Sequence, residues 1–149
     1  STSGGQWIHA TISPDEFSNG TIQYRFQVVE RVIGNNDSGL SELHFREDSW
    51  GGASYLAVMA PAYQRCRFSY QNWNNNDEFT NLGIKTCYLE EGVWYTVRIE
   101  AEKDELKFIL DHVLLISKTD DRLDKGFLSF EVGPQSKVYF DDVQILYSE

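Results

Sequence analysis

The sequence predicts an all-β fold, a two-sheet antiparallel β-sandwich, and three observations carry that expectation. From Gly92 to Leu146, short segments of alternating apolar and polar residues follow one another, each closed by a charged or glycine-bearing turn. No window repeats apolar residues at helical spacing. The chain has 149 residues, 41% of them hydrophobic and 14% aromatic, with only 3 prolines, which suits one globular β-rich domain with its own core.

Taken in order, Trp7 to Ile12 reads as a first or edge strand, and SPDEFSNG carries turn residues. From Thr21 to Arg31 the alternation is clear: Ile22, Tyr24, Phe26 and Val28 share one face, and Gln23, Arg25, Gln27 and Val29 the other. The polar loop IGNNDSG leads into Leu40 to Glu47, where Leu43 and Phe45 point inward and Glu42, His44 and Arg46 share the opposite face. After DSWGG come three further strands, at Tyr55 to Ala60, Cys66 to Gln71 and Ile84 to Leu89, separated by PAYQ and NWNNNDEFTN. The closing meander then places Tyr95, Val97, Ile99 and Ala101 on one face. It continues through Leu106 to Leu110, Val113 to Ser117, Phe127 to Val132 and Val138 to Leu146. The whole is expected as one domain from 7 to 149, preceded at 1–6 by a linker or processed start. Trp7 and Trp94 are expected to be packing residues.

With 23 acidic and 13 basic side chains, the formal net charge is -10. That sign repels phosphate backbones and anionic bilayers, which argues against nucleic acid and membrane-surface partners, and no apolar run is long enough for membrane insertion. The scattered acids read as a solubilising surface. If the Cys66 and Ile84 strands form a hairpin closing on Asn76 and Asp77, Cys66 lies opposite Cys87. Either a cross-strand disulfide, which implies an oxidising compartment, or two buried thiols fits that arrangement.

The segments WYTVRIEAE, FILDHVLLISKTD, GFLSFEVG and VYFDDVQI, with NDSGLSELHFRE upstream, resemble concanavalin A-like and laminin G-like jelly rolls. The likeness is to the group containing family-66 carbohydrate-binding modules and 3-keto-disaccharide hydrolase-type domains. It implies a noncatalytic carbohydrate-binding module of a larger secreted or cell-surface protein. Asp141 or Asp142 of FDDVQI stands where such modules tie a structural calcium, although no contiguous ligand loop is present and two acids exposed at a strand bulge explain the segment equally.

The residues themselves suit a glycan. Sugar recognition uses aromatic rings against the apolar face of a pyranose or furanose, and planar charged or amide groups to bond hydroxyls in pairs. Glu42, His44 and Arg46 project from one strand face, with Trp50 and Tyr55 just beyond; Gln71, Trp73 and Asn75 lie in or beside an asparagine-rich loop. Each has a plainer reading: Glu42 and Arg46 as a solvated ladder, His44 as a surface histidine. A protein-interaction domain of laminin G type is the alternative, and a small glycoside hydrolase or lyase the lesser one. A hydrolase needs two carboxylates on one face, and the odd separation of Glu42 and Glu47 is expected to put them on opposite faces. His44 with Tyr55 or Tyr70 would serve a lyase, but no G-x-S-x-G elbow occurs and the histidines and cysteines lack zinc-ligand spacing.

Overall fold

The computed structural model describes residues 7–48, 52–134 and 136–148. Eleven strands form two antiparallel sheets: β1 (Ile8–Phe17), β2 (Gly20–Glu30), β3 (Ser41–Glu47), β4 (Ala53–Ala60), β5 (Arg65–Asn72), β6 (Glu78–Thr86), β7 (Trp94–Glu102), β8 (Glu105–Leu110), β9 (Val113–Thr119), β10 (Gly126–Val132) and β11 (Lys137–Tyr147). A six-stranded sheet runs β1-β10-β3-β4-β5-β6 and a five-stranded sheet runs β11-β2-β7-β8-β9. The only helical element among the described residues is a 3-10 turn at Pro61–Tyr63, so no helix is long and apolar enough to cross a membrane. The expected linker at 1–6 lies outside the described residues.

The two inner faces supply one core. Ile22, Tyr24, Phe26 and Val28 of β2 and Val97, Ile99 and Ala101 of β7 meet Leu43, Phe45, Tyr55, Ala57, Phe68, Leu128 and Phe130 of the opposing sheet, all buried as the period-two pattern requires. Aromatic contacts join the layers: Tyr24 lies 4.8 Å from Phe130, and Phe130 stacks at 4.1 Å on Phe140. A second, smaller apolar cluster of Leu40, Leu56, Val58 and Ala60 packs apart from this core. Because Leu56 and Val58 alternate with Tyr55, Ala57 and Met59, they belong to the outer face of the six-stranded sheet.

Three local expectations differ from the fold. β1 runs through SPDEF rather than turning there. It is an edge strand with register shifts at Thr11/Ser13 and Ser13/Phe17, where a proline costs no ladder bond. β6 begins at Glu78 and ends at Thr86, so Glu78 to Asn81, read as loop, pair with β5 through their backbones. Trp7 and Trp94 are not core: Trp7 is 40% exposed, and Trp94 lies half-buried on the outside of the five-stranded sheet, stacked on Tyr139 beneath Arg25.

Cys66 and Cys87 are joined in a disulfide with a Cα separation of 5.9 Å, tying β5 to the end of β6. The pairing does not arise from the simple hairpin register. A shift between Phe68 and Ser69 puts Lys85 opposite Cys66, and Cys87 reaches its partner from just past the strand, its N–H bonded to the Gln64 carbonyl at 3.0 Å. Closing a loop with a sequence separation of 21 contributes roughly 3 kcal/mol through the unfolded chain.

Candidate functional site

β3 supplies the central side chains, and a bulge decides which way they point. On β10, Phe127 and Ser129 are two residues apart, yet their partners Glu47 and His44 are three apart. The extra residue falls around Arg46, whose φ of 51° lies in the left-handed region. The start of β10 packs so tightly here that a Cβ on Gly126 would sit 2.3 Å from the Arg46 carbonyl carbon and 2.4 Å from the Glu47 oxygen. Glycine is the residue that fits.

The consequence is a reversal of the expected alternation beyond Phe45. Glu47 joins Glu42 and His44 on the outer face, and Arg46 turns inward. Buried at 1% exposure, Arg46 donates from Nε and Nη2 to the Ser18 carbonyl at 3.0 and 2.8 Å, and from Nη1 to the Leu123 carbonyl at 3.0 Å. Burial lowers its pKa, but charged neighbours oppose that. Arg46 is thus a clamp between the β1–β2 turn and the loop before β10, not a member of the outer face, which corrects the expectation of a Glu42/His44/Arg46 row.

Tyr55 also faces inward, because it belongs to the inner half of β4. Its hydroxyl donates to the Asp120 carboxylate at 2.6 Å and accepts from the Leu123 N–H at 3.2 Å. Burial first, and then the Asp120 carboxylate, raise its pKa. Trp50 lies outside the described residues. Asn75 serves its own turn, donating from Nδ2 to Glu78 at 2.8 Å.

On the outer face His44 sits among three carboxylates. Its Nε2 lies 3.0 Å from Glu42 Oε2 and 2.9 Å from Glu131 Oε2 on neighbouring β10, and its Nδ1 lies 3.2 Å from both Glu47 Oε2 and the Ser54 hydroxyl. Ser129 donates to the other oxygen of Glu47 at 3.2 Å, and His9 Nε2 stands 3.9 Å from the same atom. Burial disfavours the charged imidazolium, but the hydrogen bonds to Glu131, Glu42 and Glu47 outweigh it and hold the His44 pKa up to about 11. His44 is therefore a doubly protonated donor at neutral pH.

Above this network the face opens into a depression lined by Trp7, Glu42, Gln71, Trp73 and Glu131. Trp7 and Trp73 are 40% and 48% exposed, with the carboxylates and the Gln71 amide between them. The fold thus gathers Glu42, His44, Gln71 and Trp73 of the expected residues and adds Trp7, Glu47 and Glu131. Alternation in GFLSFEVG already turned Glu131 away from the core. The pairing of β10 with β3, which puts it beside Glu42, is a contact between distant segments that no local pattern reveals.

Asp141 and Asp142 lie far from this face in the chain order of the sheets, on edge strand β11 of the five-stranded sheet, at a bulge between Asp141 and Gln144. Asp141 accepts the Asp142 N–H at 2.8 Å, and Asp142 stands 3.7 Å from the Arg25 guanidinium. Among the described residues, no third His, Cys, Asp or Glu gathers with them to hold a metal ion.

No family model and no curated protein sequence matches the chain. Solved structures do. A family-66 carbohydrate-binding module from Bacillus subtilis superposes with a TM-score of 0.78 at 21% identity, covering 93% of this chain and 81% of its own. The Caenorhabditis elegans galectin LEC-6 gives 0.65 at 8% identity over 92% and 89%. A Parabacteroides distasonis protein provisionally assigned as a glycosyl hydrolase gives 0.64 at 15% identity over 99% and 88%. At such identities the likeness establishes the fold: a two-sheet antiparallel jelly roll of the kind expected.

Proposed function

We propose that the chain is a carbohydrate-binding module that seats a glycan on the outer face of the six-stranded sheet. The observation that carries this reading is the depression itself, in which two exposed indoles flank planar hydrogen-bonding groups. Indole rings cover the apolar face of a sugar ring, while Glu42, Glu131 and Gln71 offer acceptors and a donor for its hydroxyls. The imidazolium of His44 fixes both glutamates from below, so little rotamer freedom is lost when a ligand arrives. The jelly-roll neighbours, a carbohydrate-binding module and a galectin among them, support the same reading. The disulfide supports an extracellular or cell-surface setting.

Glycan-array screening followed by titration calorimetry tests this. Trp73→Ala is expected to weaken the glycan identified by about 10–100-fold, about 1.4–2.8 kcal/mol, as for a central aromatic contact. Lys118→Ala, exposed on edge strand β9, should leave it unchanged. Equal losses in the two variants would remove the assignment of this face. A glycoside hydrolase is the second reading, favoured because Glu42 and Glu131 present carboxylate oxygens within 4.8 Å of each other, near the roughly 5 Å spacing of retaining enzymes. Cleavage of the bound oligosaccharide in the same samples would select it.

A structural calcium at Asp141 or Asp142 would have to complete its six to eight oxygens from backbone carbonyls and water. Calcium is then expected to raise the Tm of the wild-type protein and not that of Asp142→Asn. Superimposable melts with and without calcium would dispose of this ion.

A further inference from the structure

We propose that Glu42, His44 and Glu131 form a three-ligand site for a divalent transition-metal ion, Zn²⁺ in the first instance, whose remaining positions face the depression and take sugar hydroxyls. The part concerning hydroxyls rests on the glycan-binding reading; the metal site itself does not.

Four observations support the site. One nitrogen and two carboxylate oxygens converge, all within 4.8 Å of one another, with Nε2 at 3.0 and 2.9 Å from its two oxygen partners. Ligands of a tetrahedral ion at about 2.0–2.1 Å lie about 3.3–3.4 Å apart, so the two nitrogen–oxygen edges open by a few tenths of an ångström, while the two carboxylate oxygens, within 4.8 Å of each other, close on the ion by side-chain rotation. His44 is 2% exposed, and its second nitrogen is already held by Glu47 and Ser54, an arrangement that aims Nε2 at the other two ligands. A carboxylate behind a histidine in this way is the usual outer support of a metal-bound imidazole.

Charge is the third observation. Three glutamates meet on this face, and among the described residues no Lys or Arg comes within ion-pairing distance of any of them; Arg67, over the Phe79 ring, attracts Glu42 only at longer range. A single imidazolium leaves the group anionic, whereas a dication opposes the charge more fully. Finally, the ligands come from rigid neighbouring strands: Glu42 pairs directly with Glu131 across β3 and β10, and His44 follows two residues on. Glu42 and Glu131 also line the open depression, so water or ligand oxygens reach the ion from one side, the arrangement of a site with open positions. On binding, the ion displaces the Nε2 proton to solvent, and Nδ1 keeps its proton for Glu47.

Titration calorimetry with Zn²⁺ on metal-stripped protein, without sugar, is the primary test. One ion per chain is expected. Glu131→Gln, which preserves side-chain shape, should weaken it at least 10-fold, while Glu105→Gln on the other sheet should not. Melting curves establish that each variant is folded. No binding, or equal binding by wild type and Glu131→Gln, overturns the site. Glycan titrations with and without Zn²⁺ test the second half: at least 10-fold tighter binding with the ion supports it, and unchanged affinity overturns it. Zn²⁺ binding without any retained glycan would leave the metal site standing and remove the carbohydrate reading; glycan binding without Zn²⁺ uptake would do the reverse.

Discussion

Arg46→Ala is expected to destabilise the protein by about 4 kcal/mol, lowering the Tm by about 10–15 °C for a domain of this size. The side chain is 1% exposed and makes three hydrogen bonds from one guanidinium to two backbone carbonyls, those of Ser18 and Leu123. Bonds from a charged donor contribute about 1.5–3 kcal/mol each, but two of these share one oxygen and do not add fully. Truncation also leaves both carbonyls without that donor and opens space behind the β3 bulge. Arg46→Lys keeps the charge but not the fork, and is expected to recover only part of the loss. Thermal melts decide the matter: a cost below about 1 kcal/mol for Arg46→Ala would mean that the clamp is unimportant. The folded variant should lose less glycan affinity than Trp73→Ala, because Arg46 lies beneath the sheet rather than on its outer face.

His44→Gln should have a comparable effect, about 3–5 kcal/mol, since removing the cation leaves Glu42, Glu47 and Glu131 facing one another. The pH dependence gives this prediction a signature of its own. The folded-state pKa of His44 is raised from 6.5 to about 11, so the folded protein holds the proton more tightly than the unfolded chain. Its contribution is fully present below about 6.5 and is lost progressively as pH rises through about 11. Wild-type Tm, measured with a chelator, is therefore expected to fall from pH 7 to 9.5, and His44→Gln should lack that component of the slope. This window lies below the ordinary tyrosine value of 10.0, which keeps the buried Tyr24 and Tyr55 out of the comparison. Parallel curves for the two proteins would show that His44 is not held as an imidazolium.

Much of this architecture is legible in local pattern. Ile22, Tyr24, Phe26 and Val28 announce β2 and its buried face, and Val97, Ile99 and Ala101 do the same for β7, because a strand half-buried in a sandwich repeats with period two. Glu42, His44, Gln71 and Trp73 could be singled out for the same reason: they are polar or aromatic residues on an outward face or in a turn. Where pattern failed, a backbone irregularity or a distant contact intervened. Glu42 and Glu47 have the wrong parity for one face in an unbroken strand, and only the extra residue at Arg46 brings them together. The same irregularity turned the most plausible cationic sugar contact into a buried clamp.

The sequence by itself determined that the chain folds as two antiparallel sheets and which alternating side chains of strands such as β2 and β7 face the core. These follow from alternation and turn chemistry, which act over a few residues. The tertiary structure alone decided the composition of the site. It paired β10 with β3 to set Glu131 beside His44, and it left Trp7, just before edge strand β1, lining the same depression as Trp73. Each of these is a meeting of segments far apart in the chain, fixed by how the sheets close over a shared core rather than by the residues on either side.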